Sequence, residues 1–234
     1  MFDWLNYNNV IQHHEAPLNS FPLVRHYEAE SVVADTSITV DTIKQYLRLP
    51  LTVTQDDVFL ASLRDTAISM FETATGVTVL LTDWLTYRDD FDTRQFLLRK
   101  RKYYSFTELT YTNTDGDVKT INADNYYITS EYPFSRIILK SDKDWGDENI
   151  AKQKQAIKIR FRAGLSDENG IYPADVVTAL LSMIAFMYVN RGDCQTSDFA
   201  TMTMPQIANA VIAKYRAVYL GNTNYLEDKH GVRD

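Results

Sequence analysis

Few residues in this chain could do chemistry by type and spacing. The histidines are His13, His14, His26 and His230, and Cys194 is the only cysteine. His13-His14-Glu15 suggests a metal, but adjacent side chains diverge on any regular element, and no cysteine or fourth ligand lies nearby. Two acidic clusters follow, Asp89-Asp90-Phe91-Asp92 and Asp142-Lys143-Asp144-Trp145-Gly146-Asp147-Glu148. The second superficially resembles a calcium loop, yet glycine takes its fifth position and no bidentate Glu follows at the twelfth. Both read as solvated turns. Cys194 has no histidine near it in sequence and reads as a passive thiol. Glycines stand at 76, 116, 146, 164, 170, 192, 221 and 231. Their spacing excludes a GxGxxG turn, a P-loop and a GxSxG elbow. There is no HExxH. No cofactor and no metal are expected, and the chain does not read as an enzyme.

The densest charge run is Arg99-Lys100-Arg101-Lys102, followed by Tyr103 and Tyr104. Basic residues beside aromatics can bind nucleic acid. The same run can be a solvated hairpin turn or a contact for an acidic partner. The whole chain carries −7 with a pI near 5.1, which favours a charge-complementary protein contact. Residues 1–36 hold Asp3, Glu15, Glu28, Glu30 and Asp35 against Arg25 alone.

These residues must be positioned by a chain of 234 residues, 45% apolar and 12% aromatic, with 15 tyrosines. That composition excludes collagen-like and broadly disordered classes. One cysteine allows no intrachain disulfide, which fits a reducing compartment or an assembly held by packing. The start lacks a basic, apolar leader pattern, and the most apolar stretch, Val176 to Val189, is too short to cross a bilayer. No membrane partner is expected.

Residues 1–36 lack periodicity but hold Phe2, Trp4, Tyr7, Phe21 and Tyr27, and read as an N-terminal arm that packs on something, either its own domain or a neighbouring subunit. Helices are expected at 40–49 and 55–75. Thr39 caps the first, with Ile43, Tyr46 and Leu47 on one face and Pro50 stopping it. Thr54 caps the second, which carries a stripe from Phe59 to Ala74 and ends at Gly76. From Val77 the period changes to two. Strands are expected over 77–88, 95–98, 106–112, 118–121, 126–129, 136–140 and 156–162, with a hairpin at Asn113–Asp117. Connections this short require antiparallel pairing. Helices at 173–190 and 205–220 close the core, opened by Pro173 and Pro205. The fold class is therefore α+β: a mainly helical core of four helices within 37–220, an inserted antiparallel β-meander at 77–162, an extended arm and a tail at 221–234.

In this order the pieces resemble the head-tail connector (adaptor) proteins of long-tailed bacteriophages. The resemblance rests on Lys44, Leu47 and Arg48 in the first helix and on Asp56-Asp57 opening the second, which runs to Thr75-Gly76. It continues through Trp84, Ala163-Gly164 and Pro173, then Tyr188, Asn190 and Arg191, and ends on Pro205 with Tyr215-Arg216. It covers about residues 38–220; the arm and the long meander depart from it. The resemblance implies a structural virion protein, not an enzyme. It would form a ring, typically of twelve copies, between the portal protein and a stopper or tail-completion protein, with DNA passing unread through the lumen. It would sit in the virion neck after assembly in the host cytoplasm. Another neck or tail-completion role is the alternative, and a small metal-dependent hydrolase a remote one. Candidate partner or subunit contacts are Arg48, Arg99, Arg101, Tyr103, Tyr104, Arg191 and Arg216, with Tyr225 and Leu226 in the portal-facing tail. Arg191 or Arg216 can bridge helices or subunits through a carboxylate.

Overall fold

The computed structural model describes residues 27–89, 91, 94–130, 134–145, 150–151, 153–191 and 204–216. In chain order these form β1 (Tyr27–Val32), α1 (Val40–Leu47), α2 (Asp57–Thr75), β2 (Thr82–Arg88), β3 (Gln95–Leu98), β4 (Tyr103–Thr112) and β5 (Val118–Thr120). Then come β6 (Tyr126–Thr129), β7 (Ser135–Leu139), β8 (Ile157–Ala163), α3 (Ala174–Val189) and α4 (Gln206–Tyr215). The fold is α+β, as the sequence implies.

Local chemistry sets the helix ends. Thr39 accepts a hydrogen bond from the Thr42 amide at 3.1 Å, as expected of a cap. α1 ends two residues before the expected position because Arg48 turns left-handed, with φ 58°. Tyr46, expected on the buried face, is exposed, while Lys44 beside Ile43 is buried. α2 starts at Asp57 rather than 55, and Thr54 does not cap it: its carbonyl accepts the Asp57 amide in the preceding turn. Gly76 ends α2 left-handed at φ 68°, as expected. α4 ends at Tyr215, not 220, because Arg216 has extended backbone; residues 217–220 and Gly221 lie outside the described residues.

The helices share one core. Leu60, Leu63, Ala67 and Phe71 of α2 meet Val176, Leu180 and Ile184 of α3 and Val211 of α4. Phe59 and Met70, assigned to the α2 stripe, lie at its exposed margin.

Every strand pairing is antiparallel. One sheet runs β1-β2-β8-β4-β5 and the other β3-β7-β6. β8 has the clearest alternation: Ile157, Ile159 and Phe161 are buried, while Lys158, Arg160 and Arg162 face the other side. That strand sits centrally, between β2 and β4. Residues 27–32, at the end of the arm, form an edge strand on β2, so this stretch packs on its own domain. One expectation is corrected. Residues 77–81 bury Val77, Val79 and Leu81 alternately but form no strand; the Val79 carbonyl bonds the amides of Leu165 and Ser166. The second core is aromatic, with Trp145 stacked on Phe96 at 5.0 Å and on Phe91 at 5.3 Å. No described helix is long and apolar enough to cross a membrane.

Candidate functional site

The basic run 99–102 links β3 to β4, where the sheet meets the helices. It is a joint rather than a charged outer surface. Arg101 is 6% exposed. Its Nη1 donates to the Thr75 carbonyl at 2.8 Å and to the Tyr215 carbonyl at 2.7 Å. Those are the last residues of α2 and α4, whose final carbonyls lack intrahelical donors and carry negative partial charge. A guanidinium with several fixed donors suits that position. Arg101 is therefore not an accessible partner contact in this fold, contrary to the sequence reading.

Its neighbours divide by direction. The Lys100 ammonium lies 3.6 Å from the Trp84 ring centroid, a cation–π contact. Burial lowers the Lys100 pKa, and Glu72 opposes that shift. Lys102 bends the chain with φ 58° and sits 5.6 Å from the Tyr215 ring. Arg99 is exposed, and its amide donates to the Tyr27 hydroxyl at 2.9 Å. Tyr103 is half-buried and Tyr104 exposed, 5.8 Å from the Arg162 guanidinium. Burial raises the Tyr103 pKa.

Arg191 does bridge helices through a carboxylate. It meets Asp56 at 3.0 Å, joining the end of α3 to the start of α2. Tyr188 donates to the same carboxylate oxygen at 2.8 Å, and Arg191 stacks 4.3 Å from the Tyr188 ring. Hydrogen bonds from Arg191 and then Tyr188 hold the Asp56 pKa down. Beside them, buried Lys44 pairs with Asp57 at 2.6 Å, tying α1 to α2. At the opposite end of α3, Asp175 accepts from Lys214 at 2.6 Å and from the Tyr215 hydroxyl at 3.2 Å. Burial pushes the Asp175 pKa up, but the bonds from Lys214 and Tyr215 outweigh it and the net shift is downward. On the outer face of the larger sheet, Arg160 forms a bidentate pair with Glu30, both bonds 2.7 Å, and reaches Glu108 at 2.8 Å.

Arg48 and Arg216 are exposed at helix ends. Tyr225 and Leu226 lie outside the described residues, as do His13, His14, Cys194 and the stretch 146–149. The structure thus gathers Arg101, Lys100 and Lys102 at one joint and places Arg191 and Arg48 toward the other end of the helices. Among the described residues no group of three or more His, Cys, Asp or Glu is placed to hold a metal. The acidic segment at 142–145 is a turn whose Trp145 anchors the aromatic core. Sequence reading missed a set of exposed apolar side chains, Leu51, Val53, Val58 and Val189, around the Asp56–Arg191 pair. Their signal was visible only as aliphatic residues where polar ones would suit solvent.

No protein-family model matches the chain, and no curated protein matches it. Solved structures do. A chain from the neck of an empty gene transfer agent (GTA) particle computed with C6 symmetry aligns with TM-score 0.66 at 18% identity, covering 83% of this chain and 97% of that one. A chain from the virion of a native GTA particle gives TM-score 0.64 at 19% identity, over 83% and 96%. A third, from the neck of a native GTA particle computed with C12 symmetry, gives 0.61 at 18%, over 83% and 97%. At such identities the likeness is one of fold, and it spans nearly the whole of each neighbour.

Proposed function

We propose that this chain is a non-enzymatic subunit of a virion neck, a head-tail adaptor forming a ring between the portal and a stopper or tail-completion protein. The observation that carries this reading is the shared fold over 83% of the chain with chains of GTA neck and virion structures. Twelve copies agree with the C12 symmetry of one of those necks and are compatible with the C6 symmetry of another. The subunit works by assembly, without turnover. Its −7 balance suits a wall past which DNA slides, because like charge keeps phosphate from sticking. The chain assembles in host cytoplasm and resides in the neck. Arg99 and Tyr104, the exposed members of the basic and aromatic run, and Arg48, Arg216, Tyr225 and Leu226 are contact candidates for partners or neighbouring subunits.

Mass measurement of the purified chain with its portal tests this. The expected species carries a ring of about twelve copies of the 27.0 kDa subunit. A chain that stays monomeric alone and with portal, and is absent from virions, would refute the proposal. A virion map that finds the chain elsewhere in the neck would favour a tail-completion role.

A further inference from the structure

Arg101 ties together the C-terminal ends of α2 and α4 next to the sheet, so the start of α2 is the far end of the helical layer. That far end is apolar on the outside. Val58 is 85% exposed and Val189 75%, while Leu51 and Val53 are each near half exposed. The Lys44 ammonium bonds the Leu51 carbonyl at 3.4 Å and Asp57 at 2.6 Å, so the 51–53 turn sits against the first turn of α2. Arg191 brings the end of α3, with Val189, to the same place. Arg191, Tyr188 and Phe59 stack there, partly exposed. Arginine and tyrosine ringed by aliphatic side chains is the composition of an interface centre, not of a solvated helix end.

We propose that this end receives residues 1–24 of a neighbouring copy of the chain, an inference that rests on the ring reading above. Three observations select that occupant. The segment is apolar where a docking peptide must be: Phe2, Trp4, Leu5, Tyr7, Val10 and Ile11 fall in its first eleven residues. Its charges do not oppose the site: residues 1–24 carry Asp3 and Glu15 and no Lys or Arg, while at the helical end Asp56 is matched by Arg191, Asp57 by Lys44, and Arg48 adds an exposed cation. Its length suffices. The chain enters the fold at Tyr27, paired with Thr86 within the sheet. Twenty-six residues preceding that point span up to about 85 Å when extended, against about 28 Å for the length of α2. The segment can therefore leave the sheet of one subunit and reach the far helical end of the next. A cyclic assembly, in which each copy offers two different surfaces to its neighbours, supplies such a pairing.

The test uses the full chain with the photocrosslinker benzoylphenylalanine in place of Trp4, mixed with nitrogen-15-labelled copies, irradiated and mapped by mass spectrometry. The expected crosslinks join light to heavy chains and land on peptides spanning 51–59 or 183–191. The double variant Val58→Asp/Val189→Asp changes only exposed positions, and an unchanged thermal melt verifies its fold. It should cut those crosslinks about tenfold. Crosslinks within one copy, crosslinks to other surfaces, or an undiminished yield in the double variant would each overturn the docking. So would a crosslinker placed at Leu51 that labels the portal, or residues 27–216 of the next copy, instead of residues 1–24. Ring mass is read from the same samples. A wild-type ring with crosslinks elsewhere overturns the docking alone, whereas a wild-type chain that never forms a ring overturns the ring reading as well.

Discussion

Replacing Arg101 with methionine separates a joint from a binding surface. Methionine keeps much of the apolar stem but removes both hydrogen bonds from Nη1, to Thr75 at 2.8 Å and Tyr215 at 2.7 Å. A hydrogen bond involving a charged group contributes about 1.5–3 kcal/mol net. One nitrogen serves both carbonyls, and the second carbonyl recovers part of its loss through water or local fraying. We therefore expect a total near 3 kcal/mol, with Arg101→Lys losing about half of that because its single ammonium lacks the planar fork. In a urea titration with a slope of about 3 kcal/mol/M, the midpoint should fall by about 1 M. Amide exchange should also rise first in the last turn of α4, whose terminal carbonyl has lost its donor. Arg99→Met is the control: the side chain is exposed and its loss should stay within about 0.5 kcal/mol. The reasoning fails if the Arg101 and Arg99 variants unfold together at the wild-type midpoint. It fails differently if Arg101→Met is fully stable yet no longer assembles, since that is how a partner contact behaves.

Gly170→Ala should destabilise by about 3 kcal/mol, lowering Tm by roughly 6–12 °C in a circular dichroism melt. Gly170 has φ +74°, and a Cβ there would stand 1.9 Å from the Ala34 carbonyl oxygen; an unchanged melt would show that this approach is not maintained. Asp175 supplies a pH dependence. Its folded pKa is lowered, so its contribution is present above the ordinary carboxylate value of about 3.9 and is lost as pH falls through the folded value. The stability gap between wild type and Asp175→Asn should therefore be open at neutral pH and close below about pH 4; a gap independent of pH would refute the assigned role of Lys214 and Tyr215.

The legible parts of this fold are those fixed by neighbours in sequence. Thr39 before a helical stripe marks the start of α1, and Gly76 after one marks the end of α2. Strict alternation marks β8, whose flanking residues set the pleat unaided. What escaped depends on distant groups. Asp56 and Arg191 are 135 residues apart, and only the packing of α3 on α2 brings them together. β1 lies within an aperiodic acidic stretch and owes its existence to the open edge of β2. The division of the insert into two sheets is set by the aromatic core around Trp145, which the chain assembles from several separate strands and turns. Arg101 is the residue whose role the sequence hides most. A run of four cations looks solvated, but a cation is also the group best suited to two converging helix C-termini, and residue type alone does not separate those uses.

Two of the charged residues that looked most like binding sites, Arg101 and Arg191, are spent on the protein itself. Arg101 locks α2 and α4 to the β3–β4 connection, Asp56 and Arg191 lock α2 to α3, and Asp175 locks α3 to α4. Arg160 straps Glu30 on β1 to Glu108 on β4. The exposed members of this set contribute little stability singly, but each links two elements that are distant in sequence. With these charges paired internally, the far end of the helices offers mainly apolar area, shown openly in Val58 and Val189. Residues 1–24 carry the matching apolar side chains. The internal ion pairs set how the elements of the subunit meet, and the docking proposed above assigns the contact with a neighbouring copy to the exposed valines.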